Sequence, residues 1–111
     1  VPCFFAKSQD KIIGWIDGQI PFQTYKRHIC SIGLGVHKKY RSLGIGKTLM
    51  QEMIEECKKI QISRIELNVR VSNLNAIKLY ESIGFVHEGI QKNSIKIDAS
   101  YEDSYYMALL I

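Results

Sequence analysis

From Val36 to Thr48 the chain reads Val-His-Lys-Lys-Tyr-Arg-Ser-Leu-Gly-Ile-Gly-Lys-Thr, two glycines among four cationic side chains. That combination suits an anion. Gly44 and Gly46 carry no Cβ, so backbone there can approach a diphosphate closely or take a positive φ, while Lys38, Lys39, Arg41 and Lys47 add positive charge. If a helix starts here, its first amides lack intrahelical partners and its dipole puts partial positive charge at the same point. A solvated basic loop leading into an ordinary helix is the plain alternative, and the loop alone does not separate the two. Two familiar phosphate motifs do not fit. A dinucleotide fingerprint needs glycine where Leu49 stands, and a P-loop begins with glycine where Arg41 stands.

The elements that must hold this turn follow from periodicity. Ile32, Leu34 and Val36 alternate with Gly33 and Gly35, which predicts a strand over 28–36 whose glycines mark a bulge or a close backbone approach. Ile45, Leu49, Met53 and Cys57 recur every fourth residue, widened by Met50, Ile54 and Ile60, so 44–60 reads as a helix packed by one face. Residues 64–71 alternate cleanly, with Ile65, Leu67, Val69 and Val71 opposite Glu66, Asn68 and Arg70. Strand, helix and strand in succession predict a crossover and a parallel pair. Asn73 is placed to cap the next helix, whose apolar face includes Ile77 and Tyr80, and Gly84 to end it with Phe85 folding back. Residues 2–7 and 11–16 read as a hairpin around Ser8-Gln9-Asp10, with Trp15 as a packing residue and Asp17-Gly18 breaking the pattern. Residues 85–91 and 104–110 read as two last strands joined by a polar stretch. The expected class is α/β, with a mixed, partly antiparallel sheet, a central parallel pair and two main helices.

At 111 residues the chain has room for one ordinary domain, so 1–111 is read as a single domain. Its 46% apolar and 23% charged residues argue against disorder, and no stretch is apolar for the length that spans a bilayer. Fifteen basic against eleven acidic side chains give a net charge of +4, which favours anionic ligands without telling a coenzyme from nucleic acid. Cys3, Cys30 and Cys57 are odd in number, widely spaced and without metal-ligand spacing. They read as reduced thiols of a cytoplasmic protein, Cys57 in the core.

Arg41-x-x-Gly44-x-Gly46 after a valine-ended strand resembles the GNAT superfamily of N-acetyltransferases. A second match lies downstream: Leu67-Asn68-Val69-Arg70-Val71-Ser72-Asn73, then Ala76-Ile77-Lys78-Leu79-Tyr80-Glu81-Ser82-Ile83-Gly84-Phe85. The resemblance covers roughly Lys11 to the C-terminus. It implies acetyl-CoA as co-substrate, an amine acceptor, direct attack without metal or covalent enzyme intermediate, and no membrane partner. In the family the strand before the turn splays from its parallel neighbour, and its free amides pair with the pantetheine arm. Carried over by position, Leu34, Gly35 and Val36 would line that arm and Asn73 would hydrogen-bond it. Ser42, Leu43, Gly44, Ile45, Gly46 and Lys47 match the pyrophosphate cradle, with Arg41 opening it. Tyr80 matches the tyrosine that protonates the departing thiolate and is the expected general acid; as part of an apolar stripe it could instead simply pack.

Two departures stand out. Some peptide N-terminal acetyltransferases of the superfamily carry a glutamate base where Asn68 stands, and asparagine cannot take a proton. Glu66, two residues earlier on the same strand face, could act through water, and His28 and His37 are bases by chemistry, yet the sequence sets none of them against an acceptor. The base is left unassigned. The family's first strand and two helices, which help form the acceptor pocket, have no counterpart before Lys11, so an N-terminally shortened member is expected. Asp98, Tyr101, Asp103 and Tyr105 are candidate acceptor contacts, and a homodimer is one way to complete the pocket. The expected function is an acetyl-CoA-dependent N-acetyltransferase. Asn68 and the absent helices favour, as the alternative, a non-catalytic acyl-CoA-binding or regulatory module. A basic nucleic-acid-binding domain is weaker, for want of a coherent basic stripe or exposed stacking aromatics.

Overall fold

Gln9 and Asp10 both take left-handed backbone, φ 49° and 65°, the conformation of a two-residue hairpin turn whose twist matches its strands. The turn joins β1 (Cys3–Ser8) to β2 (Lys11–Gln19), paired antiparallel with a register shift between Ala6 and Lys7. The structure, a computed structural model, describes residues 3–41 and 43–111, and at Cys3 the backbone alone. Pro2, expected to open the first strand, and Ser42 of the expected cradle lie outside the described residues. The chain forms two compact units, Val1–Ile65 with Leu110–Ile111, and Glu66–Leu109.

In the first unit β2 pairs antiparallel with β3 (Ile29–Val36), setting Gly14 opposite Val36, Trp15 opposite Gly35 and Asp17 opposite Gly33. Asp17 and Gly18 do not end β2 as the sequence predicts; they go on pairing, with Gly33 and Ile32. One face of β2 carries Gly14, Ile16 and Gly18 and receives α1 (Ile45–Lys59). A Cβ at Gly14 would meet Ile45 and Leu49 at 3.3 and 3.4 Å, and one at Gly18 would stand 2.5 Å from Cys30 Sγ and 3.5 Å from Met53. The helix therefore lies close on the strand, and Leu49, Met50, Met53 and Cys57 are buried with Ile16 and Cys30. Complete burial of Ile16, Met50 and Met53 contributes about 1.5–3 kcal/mol for each.

Gln61, at φ 66°, closes α1: its N–H donates to the Lys58 carbonyl at 3.2 Å, and the Ile62 N–H reaches back to the Cys57 carbonyl at 2.9 Å. The chain then enters β4 (Arg64–Arg70), where the N–H groups of Ser63 and Arg64 both donate to the His28 carbonyl, at 3.0 and 3.2 Å. β3 and β4 thus start side by side after a helical crossover and form the expected parallel pair.

The second unit continues from β4 through α2 (Leu74–Ile83) into β5 (Val86–Ile97) and β6 (Ser100–Leu110), with strand order β4-β6-β5. The two short strands expected over 85–91 and 104–110 are one long hairpin turning at Asp98, φ 56°. Gln91 faces Ser104 and Ile95 faces Glu102, so Lys92, Asn93 and Ser94 bulge opposite Asp103. Asp103 satisfies that bulge, accepting from the Asn93 N–H at 2.8 Å and from Lys92 Nζ at 3.2 Å. β5 is a sheet edge with nearly every side chain exposed, so no apolar alternation marks it in the sequence. Among the described residues no helix is long and apolar enough to cross a membrane.

Gly18→Ala should lower stability by about 1–3 kcal/mol, the usual cost of overpacking, read from urea unfolding. An unchanged midpoint would mean that the Cys30 side chain turns aside freely.

Candidate functional site

In the first unit β3 ends on fastened backbone, the His37 N–H donating to the Ile13 carbonyl at 2.6 Å. A 3-10 turn, Lys38–Tyr40, follows; His37 Nδ1 accepts from the Lys39 N–H at 3.3 Å, and its ring meets Tyr40 edge-on at 5.9 Å. Arg41 folds back, its Nε donating to the Val36 carbonyl at 3.2 Å. The guanidinium is thereby anchored at the end of β3, its terminal N–H donors without a partner among the described residues.

Gly44 has φ +81°, and a Cβ there would meet nothing within 4 Å. Backbone conformation, not crowding, calls for glycine at that position. As the residue before α1, Gly44 offers no capping side chain, and the first turn holds no acidic residue. Thr48 bonds back through both N–H and Oγ1, each 3.0 Å from the Gly44 carbonyl, and so uses an acceptor instead of covering amides. The opening amides of α1 are uncapped by any described side chain, with Arg41 and Lys47 close in sequence. An anion answers both the orphan donors and the dipole. Leu43 is exposed, while Ile45 and Gly46 are half-buried. A mostly apolar cavity of about 320 Å³ opens beside Gly44, walled by Phe4, Ala6, Leu43, Ile45 and Leu49.

Leu34, Gly35 and Val36 are all half-buried on β3. The strand glycines are approached by side chains, not backbone: a Cβ at Gly35 would stand 2.2 Å from the Trp15 ring, and one at Gly33 would stand 2.8 Å from Asp17 Oδ1. No register shift interrupts the β2–β3 pairing, so the expected bulge is absent there.

In the second unit Asn73 caps α2, its Oδ1 accepting from the Ala76 N–H at 3.3 Å. With the carbonyl so used, the two amide N–H donors remain for another partner. Gly84, φ +117°, ends the helix; its N–H and that of Phe85 both donate to the Tyr80 carbonyl, at 3.2 and 3.0 Å. The motif packs Phe85 on Tyr80 with ring centroids 5.8 Å apart. Tyr80 is 6% exposed, and burial pushes its phenol up to about 12. Among the described residues its hydroxyl has no hydrogen-bond partner.

The base candidates are less open than the sequence implies. Glu66 is half-buried and already engaged; Asn68 is exposed. His37 spends Nδ1 on the turn, and the His28 carbonyl serves the parallel pair. Asp103 is committed to the bulge, Asp98 forms the hairpin turn, and Tyr101 lies under Lys96, whose Nζ is 5.4 Å from the ring centroid. Two groupings escape a reading by motif. His87 Nε2 sits 3.0 Å from Glu81 Oε2 with its ring edge-on to Tyr105 at 4.9 Å. Glu102 accepts from Arg70 and from the Ser72 N–H, at 2.9 and 2.8 Å. Both join residues from different elements, which no local spacing marks.

The fold and this glycine-bearing turn are those of an acyl-transferring family: residues 1–85 match the model described as Acetyltransferase (GNAT) family, and the chain belongs to it. It is similar to the L-amino acid N-acetyltransferase AaaT of Escherichia coli (strain K12), 35% identical over 98 residues that make up 87% of this chain and 60% of that protein. It is also similar to the ribosomal protein bS18-alanine N-acetyltransferase of Escherichia coli (strain K12), 37% identical over 78 residues, 70% of this chain and 53% of that one. A solved GNAT-family acetyltransferase from Streptococcus pneumoniae aligns at TM-score 0.93 and 32% identity, over 98% of this chain and 66% of that chain. The chain thus spans little more than half of the two curated relatives' length.

Folded Tyr80 holds its proton to about pH 12, whereas an ordinary phenol loses it near 10. Its contribution to stability is complete below pH 10 and vanishes as the pH rises from 10 to 12, a loss of about 3 kcal/mol. An ultraviolet difference titration of wild type against Tyr80→Phe should show one phenol ionising near 12; ionisation near 10 would show that Tyr80 is solvated.

Proposed function

We propose that residues 1–111 act as a single cytoplasmic acetyltransferase domain that moves an acetyl group from acetyl-CoA to a primary amine by direct attack. The observation that carries this is the uncapped, acid-free first turn of α1 behind left-handed Gly44. It suits the pyrophosphate, cradled by Arg41 and residues 42–47, while Leu34, Gly35, Val36 and Asn73 serve the pantetheine arm. The amine nitrogen attacks the thioester carbonyl, the C–S bond breaks, and the thiolate accepts the proton of the Tyr80 hydroxyl. The proton lost by the amine restores the phenol through solvent. At about 12, Tyr80 is protonated at every physiological pH, as a proton donor must be. It is also a weaker acid than an ordinary thiol of pKa about 8.5, so its largest effect is a charge-assisted hydrogen bond while negative charge gathers on sulfur.

The acceptor must be neutral to attack. At pH 7 that costs roughly 4–5 kcal/mol for a lysine-like amine of pKa about 10.4, but only about 1 kcal/mol for an α-amine near 8. With asparagine at position 68, an α-amine needs the least help. The names of both Escherichia coli relatives point the same way, to an L-amino acid and to an alanine. Asn68 also favours a second reading, an acyl-CoA-binding module without turnover.

Calorimetry should show saturable acetyl-CoA binding that Arg41→Ala weakens about tenfold, the loss of one charge-assisted hydrogen bond. No binding by the folded chain would overturn the coenzyme assignment. Tyr80→Phe should bind acetyl-CoA as the wild type does and turn over about 10²-fold more slowly with the preferred α-amine. Equal turnover under chemistry-limited conditions would remove Tyr80 from the mechanism, and binding without turnover across α-amines and lysine amines would favour the module.

A further inference from the structure

We propose that Glu102, on β6, is a positioning residue for the turn that presents Asn73 to the coenzyme, a role that rests on the coenzyme reading above. β4 ends at Arg70 and α2 begins at Leu74, so Val71, Ser72 and Asn73 must convert strand into helix. Backbone bonds settle most of that turn. The Asn73 N–H donates to the Arg70 carbonyl at 3.0 Å, the Leu74 N–H to the Ser72 carbonyl at 3.0 Å, and the Val71 N–H to the Asp103 carbonyl at 3.1 Å. The Ser72 N–H is left, and Glu102 Oε2 takes it at 2.8 Å. The other carboxylate oxygen lies in the crook of the Arg70 guanidinium, 2.9 Å from both Nε and Nη2. The donors on Glu102, Ser72 first and Arg70 after it, hold its carboxyl below the usual range.

One carboxylate from a strand 30 residues downstream therefore fixes Ser72, the residue before Asn73, through its backbone, and Arg70, three before Asn73, through its guanidinium. Its side chain is 20% exposed against 46% for Arg70, so the pair is sheltered on the Glu102 side. Asn73 then has its carbonyl on the helix cap and its amide N–H donors left for the ligand. Without Glu102 the Ser72 N–H is orphaned and Arg70 released, and the turn loses the contact that sets where those donors stand. A displacement of about 1 Å at a positioned group is enough to change function by orders of magnitude.

The test uses the 111-residue chain as wild type, Glu102→Ala and Glu102→Gln, with acetyl-CoA titrated by calorimetry and steady-state rates taken well below each thermal midpoint. Glu102→Ala should raise both the dissociation constant and the KM for acetyl-CoA about tenfold while kcat changes little. Glu102→Gln has one amide oxygen and can serve either Arg70 or Ser72, so it should fall between; it also keeps the test open if the alanine variant does not fold. A purely structural Glu102 would lower the thermal midpoint and leave the dissociation constant of the folded protein where it was. That result, in either folded variant, overturns the proposal while leaving the coenzyme reading intact. A folded wild type that binds no acetyl-CoA overturns both, an outcome the variants cannot imitate.

Discussion

The close approach of α1 to β2 sets the first unit. Two missing side chains, at Gly14 and Gly18, let Leu49 and Met53 come down onto the strand. The helix axis then has little freedom, because any added carbon on that face meets Ile45, Leu49 or Cys30. With the axis held, the link from β3 must bring the chain to the helix start, and it does so through extended Arg41 and left-handed Gly44. A capping side chain at position 44 would gain only a few tenths of a kcal/mol over glycine and would have to hold left-handed backbone, so glycine stands there and offers no cap of its own. Among the described residues no side chain takes the opening N–H groups of α1, which stay open to water or to an anion.

The second unit is tied in a different way. α2 has ten residues, and both of its ends are closed by specific bonds, Asn73 at the start and Gly84 with Phe85 at the finish. Tyr80 belongs to the closing motif, so its backbone carbonyl and its ring are both held. Glu102 and Asp103 are neighbours on β6, and neighbours on a strand face opposite ways. One carboxylate serves the turn before α2, the other the bulge in β5. β6, of which the sequence predicts only 104–110 as strand, is thus the brace for two irregular segments.

Legibility in the sequence followed how local the cause was. The stripe of α1, the alternation of β4, the Asn73 cap and the Gly84-Phe85 ending are each produced by residues within a few positions, and the structure has them all. The continuation of β2 to Gln19 and of β5 to Ile97 was hidden, because pairing partners, not apolar alternation, keep those strands extended. Gly33 and Gly35 were marked as close approaches, but that β2 side chains make the approach depends on register, which spacing does not give. The Glu102 and His87 groupings join residues from separate elements and left no motif to find.

The two ends of α1 meet opposite fates. At the C-terminal end a glutamine takes the left-handed position usually given to glycine, and the last carbonyls are nevertheless satisfied by Gln61 and Ile62. At the N-terminal end a glycine is present and no described side chain caps the opening amides. A chain able to close one end against backbone preference does not lack the means to close the other. In α2 the ends are held by Asn73 at the start and by the Gly84 and Phe85 N–H groups at the finish, while the Tyr80 hydroxyl has no hydrogen-bond partner among the described residues. Polar groups left unmatched beside ends that specific bonds close are where local stability has been given up, and water or a ligand can supply the missing partner.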